Sequence, residues 1–172
     1  MSTAKKLKAA AVPAGSGLEA RVVASDHAAL KLWLRLLSST REIEGEIRKR
    51  LREQHGVSLA RFDYLAQLHR RPEGLRMREL SKALMVTGGN VTGLTDELER
   101  EGLVTRLADA ADRRVWVVRL TPEGQRSFEA MAAEHEGWIV ELFAGLSVPE
   151  LKQMYGLLGS LRQHLQDNDS VE

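Results

Sequence analysis

The chain has 172 residues, with 25 Lys and Arg against 24 Asp and Glu, a formal net charge of +1, and no cysteine. That length suits one compact domain with its own core, or a small domain plus oligomerisation elements. The charge balance is not that of a generally cationic polyanion binder, and without a thiol there is neither a disulfide nor a cysteine oxidation switch, so the five methionines are the readily oxidised sulfur.

Residues 1–17 carry Lys5, Lys6 and Lys8, then Ala9–Ala11 and Val12, and end in Pro13-Ala14-Gly15-Ser16-Gly17. This is the composition of a disordered tail. Its apolar run is far too short for a signal peptide core or a membrane span, so the expected compartment is the cytoplasm, with no membrane partner. Residues 18–56 are read as a dimerisation helix region. Leu30, Trp33, Leu34 and Leu37 open an apolar stripe, a polar break is expected around Ser38–Arg41, and Ile43, Ile47 and Leu51 continue it.

Residues 57–121 have the order helix, helix, turn, helix, hairpin. A helix following Ser58 turns Phe62, Leu65 and Leu68 inward, and a second spans Met77–Leu84. Met85 and Val86 leave the helical pattern, and Thr87 follows as a side-chain cap. From Thr87 to Glu101, Val91, Leu94 and Leu98 form one buried stripe, while Gly88, Gly89, Asn90, Thr92 and Gly93 occupy the opposite face. Each glycine costs a helix roughly 1 kcal/mol relative to alanine, so propensity does not choose them, whereas close approach to another surface would. Gly102 ends that helix. Leu103–Arg106 and Val115–Leu120 read as two strands, and the loop between them carries Arg113 and Arg114 beside Asp112, which is placed to hold one of them.

This is the layout of a winged helix-turn-helix, in which one helix enters the DNA major groove and the hairpin reaches beside it. The expected DNA-facing residues are Arg76, Arg78, Thr87, Gly88, Gly89, Asn90, Thr92, Gly93, Arg113 and Arg114. Arginine suits the hairpin tip because a planar guanidinium enters a narrow minor groove or forks onto phosphate. The carboxylates from Asp96 to Glu101 collect at the rear of the helix, away from that front.

Residues 122–165 are read as C-terminal dimerisation helices, and 166–172 as a tail. Thr121 caps the first, with Pro122 at its first position, and Phe128, Met131, His135, Trp138 and Leu142 follow at spacings of three and four. Ser147 and Glu150 form a capping box for the second, which carries Leu151, Met154, Leu158, Leu161 and Leu165. These seams at both chain ends offer more apolar face than a small central domain covers. Pairing of two copies would bury it. The expected fold is therefore mainly α with a small β-hairpin wing: a winged helix-turn-helix with a helical dimerisation domain built from both chain ends.

Taken together, Leu80-Ser81-Lys82-Ala83-Leu84, Asn90-Val91-Thr92, Leu98-Glu99-Arg100-Glu101-Gly102-Leu103-Val104, Asp112-Arg113-Arg114 and Leu120-Thr121-Pro122-Glu123-Gly124 resemble the multiple-antibiotic-resistance regulator (MarR) family. The similarity of pattern extends over about residues 26–165. It implies a bacterial homodimeric transcription factor, usually a repressor of a palindromic double-stranded DNA operator, that releases DNA when a small and often aromatic effector binds. Many relatives carry proline where Ala110 stands, which implies a more mobile wing here. The Val86-Thr87-Gly88-Gly89-Asn90-Val91-Thr92-Gly93 wording is similar to regulators of hydroxycinnamate and related aromatic-acid catabolism, whose inducers include acyl-CoA thioesters.

In this family ligands lodge between the dimerisation helices and the DNA-binding lobe. The residues here that could line such a crevice are Trp33, Leu37, Arg41, Phe62, Tyr64 and Trp138. Other chemistries find less support. Glu134-His135-Glu136 points its side chains to different faces of a helix and makes a poor metal or acid–base site, and no nucleotide loop or nucleophile elbow is present. No metal and no cofactor are expected. An unrecognised enzyme is the least supported reading, beside a winged-helix module that binds a protein instead of DNA.

Overall fold

A computed structural model describes residues 28–109, 112 and 114–169. The expectations for the tail at 1–17, for Arg113 and for the loop at Ala110 lie outside these residues. Six helices and three strands are present among them: α1 (Ala28–His55), α2 (Leu59–His69), β1 (Leu75–Arg76), α3 (Met77–Leu84), α4 (Gly88–Arg100), β2 (Val104–Ala108), β3 (Trp116–Leu120), α5 (Pro122–Leu142) and α6 (Val148–Asp169). This is the mainly helical winged architecture that the residue patterns predict.

The expected break at Ser38–Arg41 does not occur, and α1 runs through it unbroken. Nothing in that run stops a helix, since it holds neither glycine nor proline, and Ser38 Oγ donates to Glu42 Oε1 one turn on at 3.4 Å. The stop comes at Gly56, whose φ of 65° suits the left-handed closing turn; its N–H donates to Arg52 O at 3.1 Å and Val57 N–H to Leu51 O at 3.2 Å. Two compact units meet at Arg48 and Lys49, inside α1.

In the second unit the sheet order is β1-β3-β2, all antiparallel. β1 went unread in the sequence because it is only two residues, Leu75 opposite Val118 and Arg76 opposite Val117. β2 extends two residues further than expected, so Leu107 and Ala108 belong to the strand opposite Val117 and Trp116. Leu51, Leu65, Leu68, Leu80, Val91, Leu98, Val104 and Val118 are all 2% exposed or less and form the centre of the core. Fully burying each such side chain contributes about 1.5–3 kcal/mol.

The start of α5 fixes the helix against the foot of the wing. Thr121 Oγ1 accepts from Gly124 N–H at 3.0 Å and donates to Gly102 O at 2.7 Å, while Thr121 N–H donates to Leu103 O at 3.0 Å. A Cβ at Gly124 would lie 1.9 Å from Leu103 O, so only glycine permits this approach. At α6, Ser147 N–H donates to Glu150 Oε2 at 2.8 Å, the half of the expected capping box in which the acid reaches back, while Ser147 Oγ donates to the same carboxylate oxygen at 2.6 Å. The helix then continues to Asp169, so residues 166–169, expected in the tail, are helical. Its apolar residues Met154, Leu158, Leu161 and Leu165 are all exposed. Among the described residues no helix is long and apolar enough to cross a membrane.

Candidate nucleic-acid interface

The turn between α3 and α4 is closed by Met85, which adopts a left-handed backbone with φ 52°. Val86 N–H donates to Ser81 O at 3.2 Å, and Ser81 Oγ donates to Val86 O at 2.6 Å, so both ends of the turn are tied to α3. Thr87 is the N-cap of α4, but its hydroxyl makes no capping bond, contrary to expectation. Its extended backbone supplies the cap geometry without the side chain.

Helix α4 buries Val91, Thr95 and Leu98, with Leu94 half-buried. Thr95 went unread as a core residue because a hydroxyl gives no apolar signal. Its place is explained by Tyr64: the two oxygens are 2.6 Å apart, and Thr95 Oγ1 also lies 2.6 Å from Val91 O. Burial pushes the Tyr64 phenol up to about 12. The opposite face carries Thr87, Gly88, Gly89, Asn90, Thr92 and Gly93, every one exposed. A Cβ at Gly88, Gly89 or Gly93 would meet nothing within 4 Å. Among the described residues no neighbour requires these glycines, and they leave the front of the helix low and open.

The hairpin beside α4 is ordered at its base by Asp109. Its N–H donates to Val115 O at 2.9 Å, one carboxylate oxygen accepts from Asp112 N–H at 3.3 Å, and the other accepts from Arg76 Nε and a terminal guanidinium nitrogen at 2.9 and 2.8 Å. Arg76, expected to face DNA, is thus engaged in holding the wing base. Arg78 is exposed on α3. Asp112 Oδ1 accepts from the backbone N–H of Arg114 at 3.0 Å, which shapes the turn, and the Arg114 side chain is exposed.

Three of the acids at the rear of α4, Asp96, Glu99 and Glu101, are paired. Arg106 of β2 donates to Glu99 through a guanidinium nitrogen at 2.8 Å and through its backbone N–H at 3.1 Å, and it also binds Asp96. Arg61 of α2 forks onto Glu101, with one bond of 2.9 Å. These links span 40 residues of sequence or bridge two elements, so a count of local charge could not find them. They tie α4 to β2 and α2 and draw these three carboxylates back from the open front.

The expected effector residues separate into two sets. Trp33 and Arg41 are exposed and Leu37 half-buried in the first unit. In the second unit Phe62 and Trp138 are both 6% exposed and share His135 as a neighbour, with ring centroids 4.8 and 6.2 Å from it. Phe62 also packs on Phe128 at 5.4 Å. Tyr64, two residues along α2 from Phe62, is fully buried, and its hydroxyl is bonded to Thr95. His135 is half-buried in this cluster, and burial lowers its pKa. No group of three metal-ligating side chains occurs among the described residues.

Residues 55–115 match the model of the MarR family. The chain is 32% identical over 117 residues to the uncharacterised HTH-type transcriptional regulator YkoM of Bacillus subtilis, covering 66% of this chain and 75% of that protein. Among solved structures, a MarR family transcriptional regulator from Silicibacter pomeroyi superposes with a TM-score of 0.65 at 34% identity, over 81% of this chain and 94% of the other. The MepR–DNA complex of Staphylococcus aureus matches with a TM-score of 0.63 at 28% identity, over 77% and 96%. With a winged helix-turn-helix fold and this likeness to transcriptional regulators over most of their length, the chain belongs to the MarR family.

Proposed function

We propose that this protein is a DNA-binding transcriptional repressor that holds a palindromic operator as a homodimer and is released by a small aromatic acid or its CoA thioester. The observation that carries the DNA reading is the open front of α4. Among the described residues its glycines meet no neighbour, Asp96 and Glu99 are held at the rear by Arg106, and Arg114 stands exposed on the adjacent wing. A helix front without side-chain bulk brings its own N-terminal N–H groups and Asn90 close to a groove floor. The MepR–DNA structure, similar over most of both chains, supports the same mode.

Dimerisation is supported by the exposed stripe of α6 and by Leu30, Leu32 and Trp33 exposed on α1. Residues 57–121 then form the DNA-reading part, with 18–56 and 122–165 serving assembly. The aromatic-acid effector rests on the wording of Val86–Gly93, similar to regulators of hydroxycinnamate catabolism, and on the Phe62–His135–Trp138 cluster. A retardation assay with the DNA upstream of the protein's own gene tests the reading. A shifted band dispersed by an aromatic acid or its thioester is expected. Absence of any shift, with a protein partner captured through α4 instead, would move the assignment to a winged-helix interaction module.

A further inference from the structure

Resting on the DNA-binding reading above, the geometry points to Trp116 as an uncharged contact to the sugar-phosphate strand that runs between the two grooves read by α4 and the wing. Trp116 begins β3, opposite Ala108, and shares its face of the strand with Val118, two residues on. Val118 is fully buried, whereas Trp116 is 50% exposed, because the small Ala108 beside it gives no cover. An indole is an unusual residue to leave open there. Together with Thr92 and Asp96 of α4 it lines a groove between the recognition helix and the hairpin, and Thr92 belongs to the open front. The groove also holds Glu99 and Arg106, and its two acids, Asp96 and Glu99, are both bound by Arg106.

A helix seated in the major groove and a hairpin reaching the neighbouring minor groove must straddle the backbone strand that separates them. The groove lined by Trp116 is the gap between these two elements. An indole offers a deoxyribose its flat apolar face, and its Nε1–H is a single donor for a phosphate oxygen. Such a contact neutralises no phosphate and releases no counterion, so it adds affinity without adding salt dependence. That separates it from Arg114, whose contact is ionic.

The test uses the full chain and a short duplex selected from a random-sequence pool by the wild-type protein. Trp116→Ala should bind that duplex about tenfold to fiftyfold more weakly, with the slope of log affinity against log salt unchanged. Trp116→Phe should keep most of the affinity, and Arg114→Ala should instead flatten the slope by about 0.9. Duplex should change the indole emission of wild-type protein and leave most of that change missing in Trp116→Phe. Thermal unfolding of Trp116→Ala at the wild-type midpoint excludes a misfolded hairpin as the cause. Wild-type affinity in a folded Trp116→Ala, or a loss accompanied by a flattened slope, would overturn the proposal. A wild-type protein that selects no duplex at all would instead sink the DNA-binding reading on which it rests.

Discussion

At the centre of the second unit the Tyr64 hydroxyl spans from α2 to Thr95 of α4, fully buried at both ends. Tyr64→Phe should destabilise the fold by about 1 kcal/mol and no more, because Thr95 retains Val91 O as a partner and is not orphaned. Chemical denaturation of the two proteins measures this directly. The phenol also sets an alkaline signature. An unfolded tyrosine ionises near pH 10, the folded one only at about 12, so the native state holds its proton longer and stability falls as pH rises through that window. Tyr64→Phe should lose less stability over the same rise. His135 acts on the acid side with the opposite slope. Burial lowers its pKa, with Asp63 opposing, so the unfolded chain binds the proton first and stability falls as pH drops through about 6.5. Unfolding midpoints taken from about pH 7.5 to about 5.5 should decline less in His135→Phe than in wild type. The periodicity of α2 and α5 showed that Phe62 and Trp138 lie inward; it could not show that Tyr64, two positions from Phe62, looks the other way into α4. That distinction depends on a side-chain partner 31 residues distant.

Helix α4 shows how an element can be built against its own propensity. Gly93→Ala places a methyl group in open space and should stabilise the fold by roughly 0.5–1 kcal/mol, since alanine is the better helix former. The same methyl raises the front of the helix, so DNA affinity should fall while the unfolding midpoint rises. Opposite movement of the two readouts in one variant is the expected result, and a stabilised protein with unchanged DNA affinity would remove Gly93 from the interface. Elements with strong local signals were readable from the chain alone: α4 from its stripe, α5 from Thr121-Pro122, α6 from Ser147 and Glu150. Those defined by distant partners were not. β1 exists only because Leu75 and Arg76 reach β3 more than 40 residues later, and the roles of Arg76 and Arg106 follow from carboxylates on other elements.

At the scale of the whole molecule, α6 is the described element with least explanation inside one copy. Met154, Leu158, Leu161 and Leu165 stand exposed at helical spacing, and Leu151, Met154, Tyr155 and Leu158 line an apolar groove with Phe143. A second copy laid on this stripe removes it from water and gives the pair a two-fold axis, which a palindrome matches only when both recognition helices are held roughly 34–36 Å apart. Leu158→Asp should therefore produce a monomer by sedimentation and lose operator binding, although α4 and the wing are unaltered. Retained tight binding by that monomer would show that one copy suffices. In the proposed dimer the same geometry would give an effector its leverage. A ligand that favours a different separation of the two helices weakens DNA binding without touching DNA, and by linkage DNA must weaken ligand binding by the same factor. A tenfold effect requires only about 1.4 kcal/mol of difference in ligand affinity between the two arrangements. Titrating an aromatic acid or its CoA thioester with and without operator duplex, followed by calorimetry, should give two affinities whose ratio equals the loss of DNA affinity at saturating ligand. Equal ligand affinities in the two titrations would mean that the compound does not couple to DNA, and induced release would fail for it even if it binds.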